Sequence, residues 1–257
     1  MRLPARDSLS IFSPRMSGRP RFGTVVFDCD ATLSAITGID ELSRERRSEV
    51  ERLTDSAMSG QLLLEQIYAR RLALARPNRS RVEDLGRLYV DRLVPDAREV
   101  VAALADNKVE VRIISSGVRL AVVMLARALG VPEDCVAAVD LRFDAAGEYD
   151  AFDERSPLVA SGGKITVLQR WQLQRPIMMV GDGMTDLETR PVVDLFVAFA
   201  GVAARPNVMA AADVVIRDFS LAPVLSLALD RPPEHEPARS LYERGLTMLQ
   251  FKRNHDA

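Results

Sequence analysis

Short apolar runs that end in polar, glycine-bearing turns recur along the chain and alternate with stretches of helical periodicity. Thr24-Val25-Val26-Phe27 ends at Asp28-Cys29-Asp30, and Val111-Arg112-Ile113-Ile114 ends at Ser115-Ser116-Gly117. Ile177-Met178-Met179-Val180 ends at Gly181-Asp182-Gly183. Apolar runs of this length between turn residues read as strands buried on both faces. Leu195–Phe199 and Asp213–Ile216 are further strands, and helical patterns occupy 97–107, 120–129, 164–173 and 186–190. Such alternation predicts an α/β fold, a Rossmann-like parallel sheet with helices on both faces and right-handed crossovers. Residues 136–152 alternate around Ala146-Gly147 and predict a hairpin.

The stretch between the first two strands departs from this rhythm. From Gly38 to about Val94 the pattern is helical and charged, with apolar residues at Leu62, Leu63, Ile67 and Leu74. Arg76-Pro77-Asn78-Arg79-Ser80 interrupts it, and helix resumes through Val82, Leu85, Leu88 and Tyr89. The resulting division is a loose tail over 1–22, a core over 23–33 and 95–225, a helical insertion over 34–94, and a linker with a terminal helix over 226–257. That terminal helix, about 237–251 with Leu241, Leu246, Leu249 and Phe251, either docks on its own domain or meets a partner.

Composition narrows the function. The 257 residues are 47% hydrophobic and 27% charged, an ordinary globular balance. The net charge of −2 supplies no strong drive toward nucleic acid or membrane. Five arginines fall in the first 21 residues against Asp7 alone, which reads as a loose tail or as residues before a start at Met16 rather than a nucleic-acid arm. No apolar run is long enough to span a bilayer, and the N-terminus has no apolar leader, so a cytoplasmic protein is expected. Cys29 and Cys135 do not make a disulfide framework, and Cys29 points away from its flanking aspartates into the core. His235 and His255, the only histidines, lie near the C-terminus, which disfavours Ser-His-Asp catalysis and His-ligated zinc.

The chemistry concentrates at the strand ends, where open α/β sheets hold their ligands. Asp28 and Asp30 share one face at period-2 spacing, and two like charges that close need a cation or a shared proton. Ser161-Gly162-Gly163-Lys164 opens an amphipathic helix. Serines, a lysine and acids at these ends could converge on one phosphate and one Mg²⁺. Taken singly, each has a plainer explanation: a solvated strand end for the acids, a helix cap for Ser115, a solvated lysine for Lys164.

Taken in order, the motifs resemble the haloacid dehalogenase superfamily, and within it the phosphoserine phosphatase branch. Asp28-x-Asp30-x-Thr32 resembles the first motif, Ser115 the second, Lys164 the third, and Gly181-Asp182-Gly183-x-Thr185-Asp186 the fourth. Gly38-Ile39-Asp40-Glu41-Leu42, Ala57-Met58-x-Gly60, Gly147-Glu148-Tyr149 and Phe152-Asp153-Glu154 sharpen the match, which runs from about Thr24 to about Phe219. The resemblance implies a cap domain in the helical insertion and Mg²⁺-dependent phosphomonoester hydrolysis within serine biosynthesis. It makes Asp28 the nucleophile, Asp30 the general acid–base and Lys164 the neutralising cation. Asp28, the Asp30 main-chain carbonyl and Asp182 would hold the metal, with Asp186 ordering its waters or adding a ligand. Ser115 and the Ser116 N–H would bind the phosphate, Arg71 a substrate carboxylate, with Arg205 matching a second substrate-site arginine of the animal and plant type, and Met58 and Thr185 would line the pocket. Gly181 and Gly183 would permit the tight turn that presents Asp182.

One position departs. The family carries a glutamate just before Gly-Ile-Asp-Glu-Leu that binds the substrate ammonium, and this chain has Thr37; Ala31 is a milder change. A phosphoserine phosphatase, a phosphatase of another small carboxylate-bearing ester, a phosphotransferase and a phosphoester-binding protein without turnover all stay open. The expected partner is a small phosphorylated molecule, with no nucleic acid and no membrane, in a monomer or homodimer.

Overall fold

The computed structural model describes residues 20–43 and 46–253. Six parallel strands form one sheet: β1 (Thr24–Phe27), β2 (Glu110–Val118), β3 (Val136–Val139), β6 (Ile177–Gly181), β7 (Leu195–Phe199) and β8 (Val214–Ile216), in the order β3-β2-β1-β6-β7-β8. β1 is central, and Thr24, Val25, Val26 and Phe27 are all fully buried because helices cover both faces. Within 136–152 only the second part is a hairpin, with β4 (Leu141–Phe143) antiparallel to β5 (Tyr149–Phe152). Residues 136–139 instead pair with β2 as the edge of the main sheet, a difference that local alternation does not reveal.

The insertion between β1 and β2 holds α1 (Gly38–Leu42), α2 (Arg47–Met58), α3 (Leu64–Ala75) and α4 (Arg79–Asp91). Asn78 caps α4 by accepting the Arg81 N–H at 3.0 Å, which explains the break after Arg76. The core stripe of α3 is Leu64, Ile67, Tyr68, Leu72 and Ala75, whereas Leu62 and Leu63 lie before the helix and are 41% and 51% exposed. The chain enters and leaves the insertion side by side, with Ala35 N–H donating to the Arg92 carbonyl at 2.8 Å and Val94 N–H to Leu33 at 2.9 Å.

The core helices are α5 (Ala97–Asp106), α6 (Arg119–Ala128), α7 (Gly163–Arg170), α8 (Met184–Leu187), α9 (Pro206–Ala211) and α10 (Ala222–Ala228), followed by α11 (Ala238–Arg253). α11 packs on α10 and α5, where Leu241 and Tyr242 are buried and the Ser226 hydroxyl donates to the Tyr242 carbonyl at 2.6 Å. The terminal helix therefore docks on its own chain. Most of the expected tail, and His255, lie outside the described residues. Arg21 and Phe22 are packed, with Arg21 Nε 2.8 Å from Asp230. Among the described residues, no helix is long and apolar enough to cross a membrane.

Candidate active site

The order β2-β1-β6 sets three strand ends side by side, where strand order reverses about β1. Phe27 lies opposite Ile113 on one side and Val180 on the other, and the Asp28 N–H continues the ladder to the Val180 carbonyl at 2.9 Å. Asp28, Ser115 and Asp182 thus converge from three neighbouring strands. α7 adds Lys164 in its first turn, and α8 adds Thr185 and Asp186. The insertion faces them with Thr37, Met58 and Arg71. A cleft of about 440 Å³ is lined by all of these except Asp186, and by Asp30, Ser116 and Arg205. Asp186 lies beneath it, fully buried. Thr54 also lines the cleft; it sits in a charged helical stretch that carries no sequence signal for a pocket.

Lys164 binds the floor together. Its ammonium donates to Asp28 Oδ1 at 2.7 Å and Asp186 Oδ1 at 2.5 Å. Burial works against that ammonium, but Asp186 and Asp28 outweigh it and keep it protonated. Burial also pushes the Asp28 carboxyl well above the usual carboxylate range; Asp186 adds to this and Lys164 opposes it. Burial raises Asp182 to about 7, against the pull of Arg205, whose Nε donates to Oδ2 at 3.0 Å.

One carboxylate oxygen from each of Asp28, Asp182 and Asp186 lies within 4.8 Å of the others. Asp186 is committed through both oxygens, to Lys164 and to the Gly183 N–H at 3.0 Å. Asp28 Oδ2 and Asp182 Oδ1 accept no hydrogen bond among the described residues. An all-oxygen, carboxylate-rich donor set of this kind fits a hard divalent cation.

Asp30 is not part of that cluster. Its Oδ1 accepts the Gly38 N–H at 2.9 Å and the hydroxyl of Tyr89. Burial raises the Asp30 carboxyl, and the bonds from Tyr89 and Gly38 draw it back. Ser115 Oγ accepts the Gly117 N–H at 2.9 Å, which leaves its own hydrogen for the cleft. The buried Ser116 Oγ has no partner among the described residues, and Tyr68 donates to the Ser116 carbonyl at 2.9 Å.

On the opposite wall Arg71 is 3% exposed, its Nε unpartnered among the described residues. Its nearest counter-charge is Asp40, 3.7 Å from a terminal guanidinium nitrogen. Asp40 also accepts the Thr54 hydroxyl at 2.6 Å, and burial pushes its carboxyl up to about 6 against both partners. Thr37 precedes α1 and makes no capping hydrogen bond with its side chain. Arg205 bonds Asp182 and also reaches Asp55 on α2 at 3.1 Å, so it bridges the core and the insertion.

The glycines of the fourth motif serve space rather than turn conformation. Neither Gly181 nor Gly183 has a positive φ. A Cβ on Gly181 would fall 2.2 Å from Asp186 Cγ, and one on Gly183 would fall 2.7 Å from Met58 Sδ.

A model of the haloacid dehalogenase-like hydrolases matches residues 25–189. The phosphoserine phosphatase of Bos taurus is 38% identical over 200 residues, covering 76% of this chain and 89% of that one. That of Arabidopsis thaliana, a chloroplastic protein, is 38% identical over 202 residues, covering 76% and 68%. Among solved structures, a phospho-aspartyl intermediate analogue of phosphoserine phosphatase superposes with a TM-score of 0.69 at 27% identity, covering 80% of this chain and 98% of that one. The chain therefore belongs to the haloacid dehalogenase-like hydrolases, within their phosphoserine phosphatase branch, and is a phosphoric monoester hydrolase.

Proposed function

We propose that the protein hydrolyses O-phospho-L-serine to L-serine and phosphate through an aspartyl-phosphate. The observation that carries this is Lys164 holding Asp28 by one oxygen, Oδ1, just past the end of β1, where both residues line the cleft. The Asp28 carboxylate attacks phosphorus, and Asp30 gives its proton to the departing alkoxide. The aspartyl-phosphate is then opened by a water whose proton passes to Asp30, a role worth about 10²–10⁴-fold in rate. The Ser115 hydroxyl and the Ser116 N–H hold phosphate oxygens while Lys164 offsets their charge. Asp28, Asp182 and the Asp30 carbonyl would hold Mg²⁺, with Asp186 beside them, and the bound ion would supply charge neutralisation between a carboxylate and a phosphate dianion. Arg71 takes the substrate carboxylate, and Met58, Thr185 and Arg205 close the pocket.

The insertion over 34–94 acts as a cap on the core of 23–33 and 95–225, with the paired crossings at Ala35 and Val94 as its hinge. The unpaired cysteines suit a cytoplasmic location, and the docked α11 suits a monomer.

Thr37 favours a second reading, a small phosphate ester that bears a carboxylate and lacks the ammonium. Loss of one charge-assisted hydrogen bond costs about 1.5–3 kcal/mol, or roughly 10–150-fold in kcat/KM. Phosphate release from phosphoserine and from a panel of small esters, with Mg²⁺ and an Asp28→Asn control, tests both. Turnover concentrated on phosphoserine supports the first reading, and preference for ammonium-free esters supports the second. Transfer to added alcohols would mark a phosphotransferase, and no turnover on any ester a binding protein. Thr37→Glu should raise kcat/KM for phosphoserine; no change, or a loss, would count against an amine pocket there.

A further inference from the structure

Tyr89 comes from α4, and its phenol is fully buried against the acid side of the site. Its hydroxyl donates to Asp30 Oδ1, the same oxygen that accepts the Gly38 N–H at 2.9 Å. Gly38 makes the approach possible, since a Cβ there would fall 2.0 Å from the Tyr89 hydroxyl oxygen. The other oxygen, Oδ2, faces Gly117, where a Cβ would stand 3.3 Å from Oδ2, 3.0 Å from Ser115 Oγ and 3.4 Å from the Tyr89 oxygen. Oδ2 accepts no hydrogen bond among the described residues.

An oxygen that already accepts two hydrogen bonds is a poor seat for a proton, which would meet two donor hydrogens there. We propose that Tyr89 is a positioning residue for the acid–base step: with Gly38 it fixes the Asp30 carboxyl in one orientation and confines its transferable proton to Oδ2. This rests on the acid–base role of Asp30 given above. In the first step a bond forms from Asp28 to phosphorus as the ester P–O bond breaks. The departing alkoxide takes the proton from Asp30 Oδ2 and leaves a carboxylate that Tyr89 still holds by Oδ1. In the second, the water oxygen bonds to phosphorus, the Asp28–phosphorus link breaks, and the water's proton passes to Oδ2.

The test separates leaving groups. Phosphoserine expels an alkoxide that needs a proton, whereas acetyl phosphate expels acetate, which needs none. Single-turnover cleavage of both is measured for the wild type, Tyr89→Phe and Asp30→Asn with Mg²⁺. Tyr89→Phe should slow phosphoserine cleavage about 10–100-fold, and acetyl phosphate cleavage at least about tenfold less than that. Gly38→Ala, which crowds the hydroxyl while keeping the tyrosine, should show the same selectivity and serves if Tyr89→Phe folds poorly. Equal losses on both esters in Tyr89→Phe and Gly38→Ala, with selectivity kept in Asp30→Asn, would overturn the role of Tyr89 and leave that of Asp30. Absence of selectivity in Asp30→Asn would overturn both.

Discussion

Replacing Lys164 with methionine removes the cation between Asp28 and Asp186 and nearly preserves side-chain volume. The lysine is 3% exposed and donates to both acids, and Asp182 lies in the same cluster. Removing one partner of a buried ion pair costs about 3–5 kcal/mol because the remaining charge is uncompensated. For a chain of this size that is a Tm loss of roughly 6–20 °C. The pH dependence carries a sign. Asp28 and Asp182 have native pKa values raised above the unfolded value of 3.8, so the native state keeps protons that the unfolded state has released. Stability from these groups therefore falls as pH rises from the unfolded value toward the native one. Without Lys164 both rise further, so the variant's deficit should be largest near neutral pH and should narrow on acidification toward pH 4. Thermal unfolding of both proteins in metal-free buffer from pH 4 to 8 measures this. A Tm within about 2 °C of wild type at neutral pH, or a deficit flat across that range, would refute the claim that Lys164 neutralises buried acids.

Divalent-cation affinity should weaken on acidification below about 7, because protonated Asp182 cannot ligate; calorimetric Mg²⁺ titrations at several pH values check this, and Asp182→Asn should flatten the dependence. Arg71→Met should lower kcat/KM for phosphoserine about 10–150-fold and spare phosphoethanolamine, which has no carboxylate; equal losses would remove Arg71 from carboxylate recognition. Gly181→Ala puts a Cβ 2.2 Å from Asp186 Cγ, so a stability loss of about 1–3 kcal/mol in denaturant unfolding and a fall in kcat are expected.

The strand ends were legible because burial on both faces leaves an unbroken apolar run, and the polar residues after it have no reason to be there except the site. Asp28, Ser115 and Asp182 are of this kind. The side-chain partner of Asp30 was not legible. Tyr89 stands in a helix beside Val82, Leu85 and Leu88, where an aromatic reads as core, and the acid it meets is far away in sequence. Arg71 could be told from Arg70 only by resemblance, yet Arg71 is buried while Arg70 lies on the surface with Glu49. Leu62 and Leu63 misled because a helical period does not say where its first turn begins. α10 left no period at all, being buried all round from Ala222 to Ala228.

The sheet order also bears on how the protein acquires its activity. Thr24 pairs with Glu110 on one side and Ile177 on the other, so the central strand finds both neighbours only after long loops close. Chain entropy makes such distant parallel pairings slow to form. No partial assembly holds Asp28, Ser115 and Asp182 together, because each rides on a different strand of that trio. Nascent or refolding chains should thus gain helix early and catalytic competence last, which makes ester turnover a readout of completed sheet assembly.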